Sequence, residues 1–202
     1  PLSDRAFEAL RDNVRIRLDA FIEQAQRLGI AGAEARLFEG STHDGLLLQS
    51  RYADLIVVSQ PDPNDRFGVE HGLPQTLALG GTRPVLVVPT AYDGAPLPGN
   101  VLVGWDGSMP AQRAICAALP LLARAGSVTL GLINPERQSE LHGDEPGADM
   151  ALYLARHGVK VNVVVAHTRA RDSDALIDMA GEVHADLMVA GAFGHSRYRE
   201  WF

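Results

Sequence analysis

The chain has one cysteine, Cys116, among 202 residues, so no disulfide can close within it. Cys116 lies on a predicted helix with no His or Lys beside it to activate the thiol, and it is expected as a buried structural residue. No apolar run approaches the roughly 20 residues that cross a bilayer, and no charged, apolar, small-residue pattern opens the chain, which makes a cytoplasmic protein the expectation. Basic residues are outnumbered, 18 Lys and Arg against 25 Asp and Glu, for a net charge of −7. With no basic run either, a phosphate-backbone surface for nucleic acid is excluded. A Walker-type loop is absent, because Gly-x-x-x-x-Gly-Lys-Ser/Thr occurs nowhere. His167, at a predicted strand end, has no partner at metal-ligand spacing. What remains is ordinary globular composition, 46 % hydrophobic and 21 % charged, enough for one large or two small domains.

A repeated unit fills that length. Ala53-Asp54-Leu55-Ile56-Val57-Val58-Ser59 and Ala185-Asp186-Leu187-Met188-Val189-Ala190-Gly191 are both short buried-strand signals introduced by Ala-Asp. Each follows a helix-like stretch and a β-branched run, so the order strand, helix, strand occurs twice. Continuous apolar strands alternating with helices predict parallel pairing with both sheet faces covered. The second copy opens with the strand Asn100 to Trp105 and the turn Asp106-Gly107-Ser108. Ser108 is positioned to cap a helix whose stripe is Ala111, Ala114, Ile115, Ala118, Leu119 and Leu122, kinked near its end by Pro120. A strand over Val128 to Ile133, a loop over 134–147, a helix over 148–157 and a strand over 159–165 follow. A helix capped by Ser173, with Leu176, Ile177, Ala180 and Val183 inward, then leads to the Ala185 to Gly191 strand. The first copy reads as an amphipathic helix over 3–28 through Phe7, Leu10, Val14, Leu18, Phe21, Ile22, Ala25 and Leu28. Then come a strand over 33–38, a helix over 42–52, the strand Leu55 to Ser59, a loop over 60–68, a helix over 73–79 and the strand Pro84 to Val88. Two domains are expected, 1–90 and 100–202, joined by a Gly/Pro-bearing linker over 91–99.

Three motifs in this order resemble the universal stress protein family in a tandem arrangement. They are Val101-Leu102-Val103-Gly104-Trp105-Asp106-Gly107-Ser108 opening a unit, Ala185 to Val189 running into Gly191-Ala192-Phe193-Gly194-His195-Ser196-Arg197, and Arg83-Pro84-Val85-Leu86-Val87-Val88 closing one. The resemblance implies an α/β fold of two flavodoxin- or Rossmann-like open parallel sheets with strand order 3-2-1-4-5. The first copy would lack its N-terminal strands and the second its last strand, from which a longer natural chain is expected. In such sheets a ligand sits beyond the C-terminal strand ends where strand order reverses. Gly191 and Gly194 match the first part of the family's phosphate motif, Gly-x-x-Gly; its Gly-Ser or Gly-Thr would fall beyond Phe202. Without Cβ atoms, backbone N–H groups there approach a phosphate closely, and a helix starting near Ser196 adds its positive end. The family further implies ATP, alone or with Mg2+, with Gly104 among the binding residues and Asp106 near the ribose or a phosphate-bound metal. Ile133 and Ala190 would border the adenine, and Gly191, Gly194, His195 and Ser196 the phosphates.

Plainer readings stand beside these. The Gly-rich stretch also reads as a tight turn, Asp106 as an Asp-Gly turn residue and His195 as a polar helix start. Arg197 and Arg199 read as solvated, and Trp105, Trp201 and Phe202 as packing residues. In the first copy Ser59 and Asp62 stand where Gly191 and Gly194 stand in the second. Pro61 and Pro63 remove N–H donors there, and Asp62 and Asp65 add negative charge. One carboxylate at about 6 Å repels a phosphate charge by roughly 3 kcal/mol at an effective dielectric near 20. A helix N-terminus returns only about 0.3 to 1 kcal/mol. With Gly72-Leu73 in place of Gly-Ser/Thr as well, the first copy is expected to be degenerate and nucleotide to bind in the second alone. The expected activity is that of a sensor or regulator, with no catalytic residue evident and at most weak ATP hydrolysis. The alternatives are a family member without nucleotide that works through dimerisation and protein contacts, and an enzyme of the adenine-nucleotide α-hydrolase type. The latter carry Ser-Gly-Gly-x-Asp-Ser after strand one, which this turn does not match. Homodimerisation or pairing of the two domains is expected through the strand Pro84 to Val88, because an open sheet edge either pairs or needs protection.

Overall fold

The computed structural model describes residues 4–61 and 72–192. Its first part begins with α1 (Asp4–Arg27), α2 (Thr42–Ser50), β1 (Ile56–Ser59), α3 (Leu73–Gly80) and β2 (Val85–Val88). β1 and β2 pair in parallel, from Ile56 opposite Val85 to Ser59 opposite Val88. Ile56, Leu73 and Leu77 form the buried cluster beneath them, with Leu46, Leu47, Val58 and Val85 packed around it. The stripe read on α1 is covered only in part: Ala25 is buried, Val14, Leu18 and Ile22 are half-buried, and Phe7, Leu10, Phe21 and Leu28 are exposed.

The strand expected over 33–38 does not form. A strand is a ladder before it is a pattern, and no described strand pairs with this segment. Its polar positions are engaged locally instead: Arg36 donates to Glu34 and to Gln49 of α2. Phe38 folds onto Gly45, where an added Cβ would lie 2.5 Å from the ring.

The second part carries β3 (Asn100–Gly104), α4 (Met109–Leu122), β4 (Ser127–Ile133), α5 (Ser139–His142), α6 (Ala148–Arg156), β5 (Val161–Ala166), α7 (Asp172–Glu182) and β6 (Leu187–Val189). Its four strands are all parallel in the order β5-β4-β3-β6. Val101, Val103, Leu130 and Leu132 of the sheet are buried against Ile115 and Leu122 of α4 and Leu154 of α6. Each such side chain contributes roughly 1.5 to 3 kcal/mol on burial, so this cluster dominates the stability of the chain. Trp105 packs on it partly buried, as a packing residue should. The fold is thus α/β with parallel sheets. No described helix is long and apolar enough to cross a membrane.

Four local readings are corrected. The loop expected over 134–147 contains a 3₁₀ turn, Pro135–Gln138, and α5. Ser173 lies inside α7; its N-cap is Arg171, whose side chain bonds Asp174 instead of the helix backbone. On α7 the buried residue is Met179, while Ile177 is 60 % exposed. Cys116 is exposed, its Sγ 3.3 Å from the Tyr153 hydroxyl. The reason is angular: each helical step turns the side chain about 100°, so the residue after inward Ile115 leaves the buried stripe. α4 continues through Pro120 to Leu122.

The start of β3 is tied to the start of β6. The Asp186 carboxylate accepts from the Gly99 and Asn100 N–H groups at 2.9 and 3.0 Å, and the Asp186 N–H donates to the Asn100 carbonyl at 2.9 Å. Asn100 in turn donates to the His184 carbonyl and accepts from Ser127.

Candidate functional site

β3 and β6 are parallel neighbours, Val101 opposite Leu187 and Val103 opposite Val189. β3 leads to β4 and β5 on one side, and β6 lies on the other. Strand order therefore reverses between their C-terminal ends, where open parallel sheets hold ligands.

Gly104 ends β3. A Cβ there would come within 2.8 Å of Leu176, so the residue makes room for α7. The Trp105 N–H donates to the Gly131 carbonyl at 2.9 Å, which carries the chain straight off the strand. Asp106 then accepts the Ser108 N–H at 3.0 Å, Gly107 takes a left-handed φ of 76°, and Ser108 caps α4 by accepting the Ala111 N–H at 3.2 Å. Asp106 thus has the turn-shaping role. The N–H groups of Asp106, Gly107 and Met109 have no partner among the described residues.

Gly191, just past β6, is set against the first turn of α4. An added Cβ would lie 2.5 Å from the Ala111 nitrogen and 2.8 Å from the Pro110 carbonyl carbon. Its missing side chain therefore admits the helix backbone, a packing reason for glycine that holds with or without a ligand. Ala190 beside it is exposed. Ile133 ends β4, half-buried, one residue before a structural clamp. Gly104, Asp106, Ala190 and Gly191 are thus brought to one pair of strand ends, with Ile133 at the end of the next strand. Gly194, His195 and Ser196 lie outside the described residues, as do Arg197, Arg199, Trp201 and Phe202, and Asp62 to Asp65 of the first copy. Gly72 is the N-cap of α3, with φ 78° and no side-chain hydrogen bond.

The clamp escaped the sequence reading. Asn134 is buried in the left-handed conformation, φ 48° and ψ 50°. Its amide donates to Asp172 at 3.0 Å and its carbonyl oxygen accepts the Thr168 N–H at 2.8 Å, while its own N–H donates to Ala166. Arg137 adds bonds to Asp172 and to the Thr168 carbonyl. One side chain thus joins β4, the end of β5 and the start of α7. The available signal was an Asn between an apolar strand and a Pro, since Asn tolerates left-handed backbone. His167 pairs with Glu136 at 3.1 Å. The Glu136 carboxyl is held below its usual range by the hydrogen bond from its own backbone N–H and then by His167.

α5 was also missed, and it lies over the β3–α4 turn. The place a Gly107 Cβ would take is 2.7 Å from the Leu141 Cβ. Burial pushes the His142 imidazole below its ordinary pKa, against the opposing pull of the Asp106 and Glu140 carboxylates. His142 Nδ1 is closed off from solvent without a hydrogen-bond partner among the described residues. Among the described residues no group of three His, Cys, Asp or Glu is placed to hold a metal. Two shallow grooves open elsewhere, between α6 and β5 near Leu152 and Lys160, and beside α2 near Arg36 and Thr42.

No family model and no curated protein matches the chain. Among solved structures it is similar to a protein from the universal stress protein family from Burkholderia pseudomallei, at 24 % identity over 46 % of this chain and 81 % of that one, with a TM-score of 0.40. It is also similar to protein Rv1636 from Mycobacterium tuberculosis H37Rv, at 25 % identity over 48 % of this chain and 74 % of that one, with a TM-score of 0.37.

Proposed function

We propose that the four-stranded part binds one adenine nucleotide, ATP, alone or with Mg2+, and that the protein is a cytoplasmic stress-response sensor or regulator of the universal stress type. The observation that carries this reading is the turn between β3 and α4 at the sheet's reversal point. Three donors there, the N–H groups of Asp106, Gly107 and Met109, are unused among the described residues. They lie at the start of a helix of 14 residues, Met109 being its first. Such a terminus attracts anions through its unpaired N–H groups and its partial positive charge. The Asp106 carboxylate opposes a bare phosphate in the same place, so it suits a ribose hydroxyl or a Mg2+ bridging to phosphate. The first copy offers no matching turn among the described residues, and its acidic, Pro-bearing loop sequence argues against a second nucleotide.

Equilibrium binding of labelled ATP to the full-length protein tests this. Saturable binding of one nucleotide per chain is expected, and its absence overturns the proposal. The packing of Gly191 on Ala111 favours one second reading, because it accounts for that glycine without any ligand. On that reading the protein works through dimerisation and protein contacts, and the same measurement separates the two.

A further inference from the structure

We infer that residues 139–146, which include α5, form a lid over the β3–α4 turn, hinged at Gly143 and closed by Leu141 on Gly107; its part in nucleotide entry and release rests on the nucleotide reading above. Both ends of the segment are fixed. On one side Asn134 is buried and bonded to Thr168 and Asp172, and Arg137 holds the same two partners. On the other Gly147 is buried with φ 86°, where an added Cβ would stand 3.0 Å from Leu132 and 3.1 Å from Val163. Between these anchors every residue is exposed apart from half-buried His142 and Pro146. A segment with so little buried surface opens locally, at a small fraction of the free energy of global unfolding.

Three features make the closed position one that is readily left. The Leu141 Cβ and carbonyl oxygen lie 2.7 and 3.5 Å from the place of a Gly107 Cβ, yet the residue stays 49 % exposed, so little apolar surface is gained by closing. Gly143 has φ 63° and ψ −160°, angles that suit glycine alone, and nothing lies within 4 Å of the place its Cβ would take. With no Cβ and open space around it, the backbone there passes to other angles without a clash. His142 Nδ1 is closed off without a hydrogen-bond partner among the described residues, a cost that water relieves when the segment lifts. Leu141 stands over the turn that carries the unused N–H groups of Asp106 and Gly107. Lifting the lid is therefore a step in ligand entry and release, as in other gated sites.

The test uses the full-length protein and its Leu141→Ala, Leu141→Met and Gly143→Ala variants. Two rates are read: hydrogen exchange of the Gly143 amide without nucleotide, and release of a fluorescent ATP by stopped flow. In the closed position that amide donates to the Ser139 carbonyl at 3.1 Å. It is expected to exchange well before the amides of α4. L141A should speed both its exchange and ATP release about three- to tenfold, and L141M should restore both. G143A, whose Cβ disfavours the closed angles, should speed release as well. Unchanged exchange in β4 shows that each variant is folded. Protection of Gly143 equal to that of α4 overturns the inference, as does either rate staying unchanged in L141A. Failure of the unaltered protein to bind ATP instead removes the nucleotide reading, while exchange at Gly143 still decides whether the lid opens.

Discussion

A glycine is informative when its missing Cβ has a definite rival for the space. At Gly191 the rival is the backbone of α4, which cannot swing aside. Gly191→Ala is expected to cost about 1 to 3 kcal/mol, read as a lowered urea midpoint with unchanged slope. At Gly131 the nearest atom is the Met179 sulfur, also at 2.5 Å, but a thioether rotates away. Gly131→Ala should therefore cost less; the reverse ranking would mean that α4 shifts more easily than a side chain. Asn134→Ala removes two side-chain hydrogen bonds from a buried site and leaves a residue ill-suited to a left-handed backbone, for an expected loss of about 2 to 3 kcal/mol. His142 supplies a pH signature. Its folded pKa lies below the ordinary 6.5, so its contribution is complete above that value. As the pH falls past it the unfolded chain takes up the proton first, and stability declines toward the folded pKa. The loss of stability between about pH 7.5 and pH 5.5 should be smaller in H142L than in the unaltered protein. Identical slopes would show that the imidazole is not held neutral.

Among the helices, caps and stripes separate cleanly. Ser108 accepts a backbone N–H at the start of α4, and Ser108→Ala is expected to cost about 1 kcal/mol in thermal or urea unfolding. Ser173, inside α7 and exposed, makes no cap bond, so Ser173→Ala should leave the midpoint nearly unchanged. This pair also shows what the sequence could and could not convey. Both serines precede an apolar stripe, and only the backbone angles of Arg171 reveal that α7 begins earlier. Strands with unbroken apolar runs, such as Val101 to Val103 and Leu130 to Leu132, were legible because burial on two faces leaves no other composition. The segment 33–38 carried a strand's pattern, but pairing is a property of two segments, and no described strand lies beside it. α5 was invisible because four residues, mostly polar, leave no periodicity. Its contact with Gly107 nonetheless sets it over the β3–α4 turn. Of that site, the positions at strand ends could be inferred from the repeat. The imidazole, the Asn134 clamp and the packing of Gly191 depend on which loops meet in space.

The two sheets differ in what lies beneath them. Among the described residues, three make the buried cluster under β1 and β2, against twelve under the four-stranded sheet. Local opening follows the density of buried contacts, so amides of β1 and β2 should exchange with deuterium well before those of β3 and β4. Comparable protection in both sheets would show that α1, whose Phe7, Leu10 and Phe21 are exposed in the structure, finds cover in solution.

At the entrance to β6 a carboxylate grips Gly99 and Asn100; at its exit a bare Cα rests on Ala111. A slide of one position would break both fastenings together. The gap between β3 and β6 at their C-terminal ends is therefore fixed during folding, and a molecule entering it need not organise its own walls.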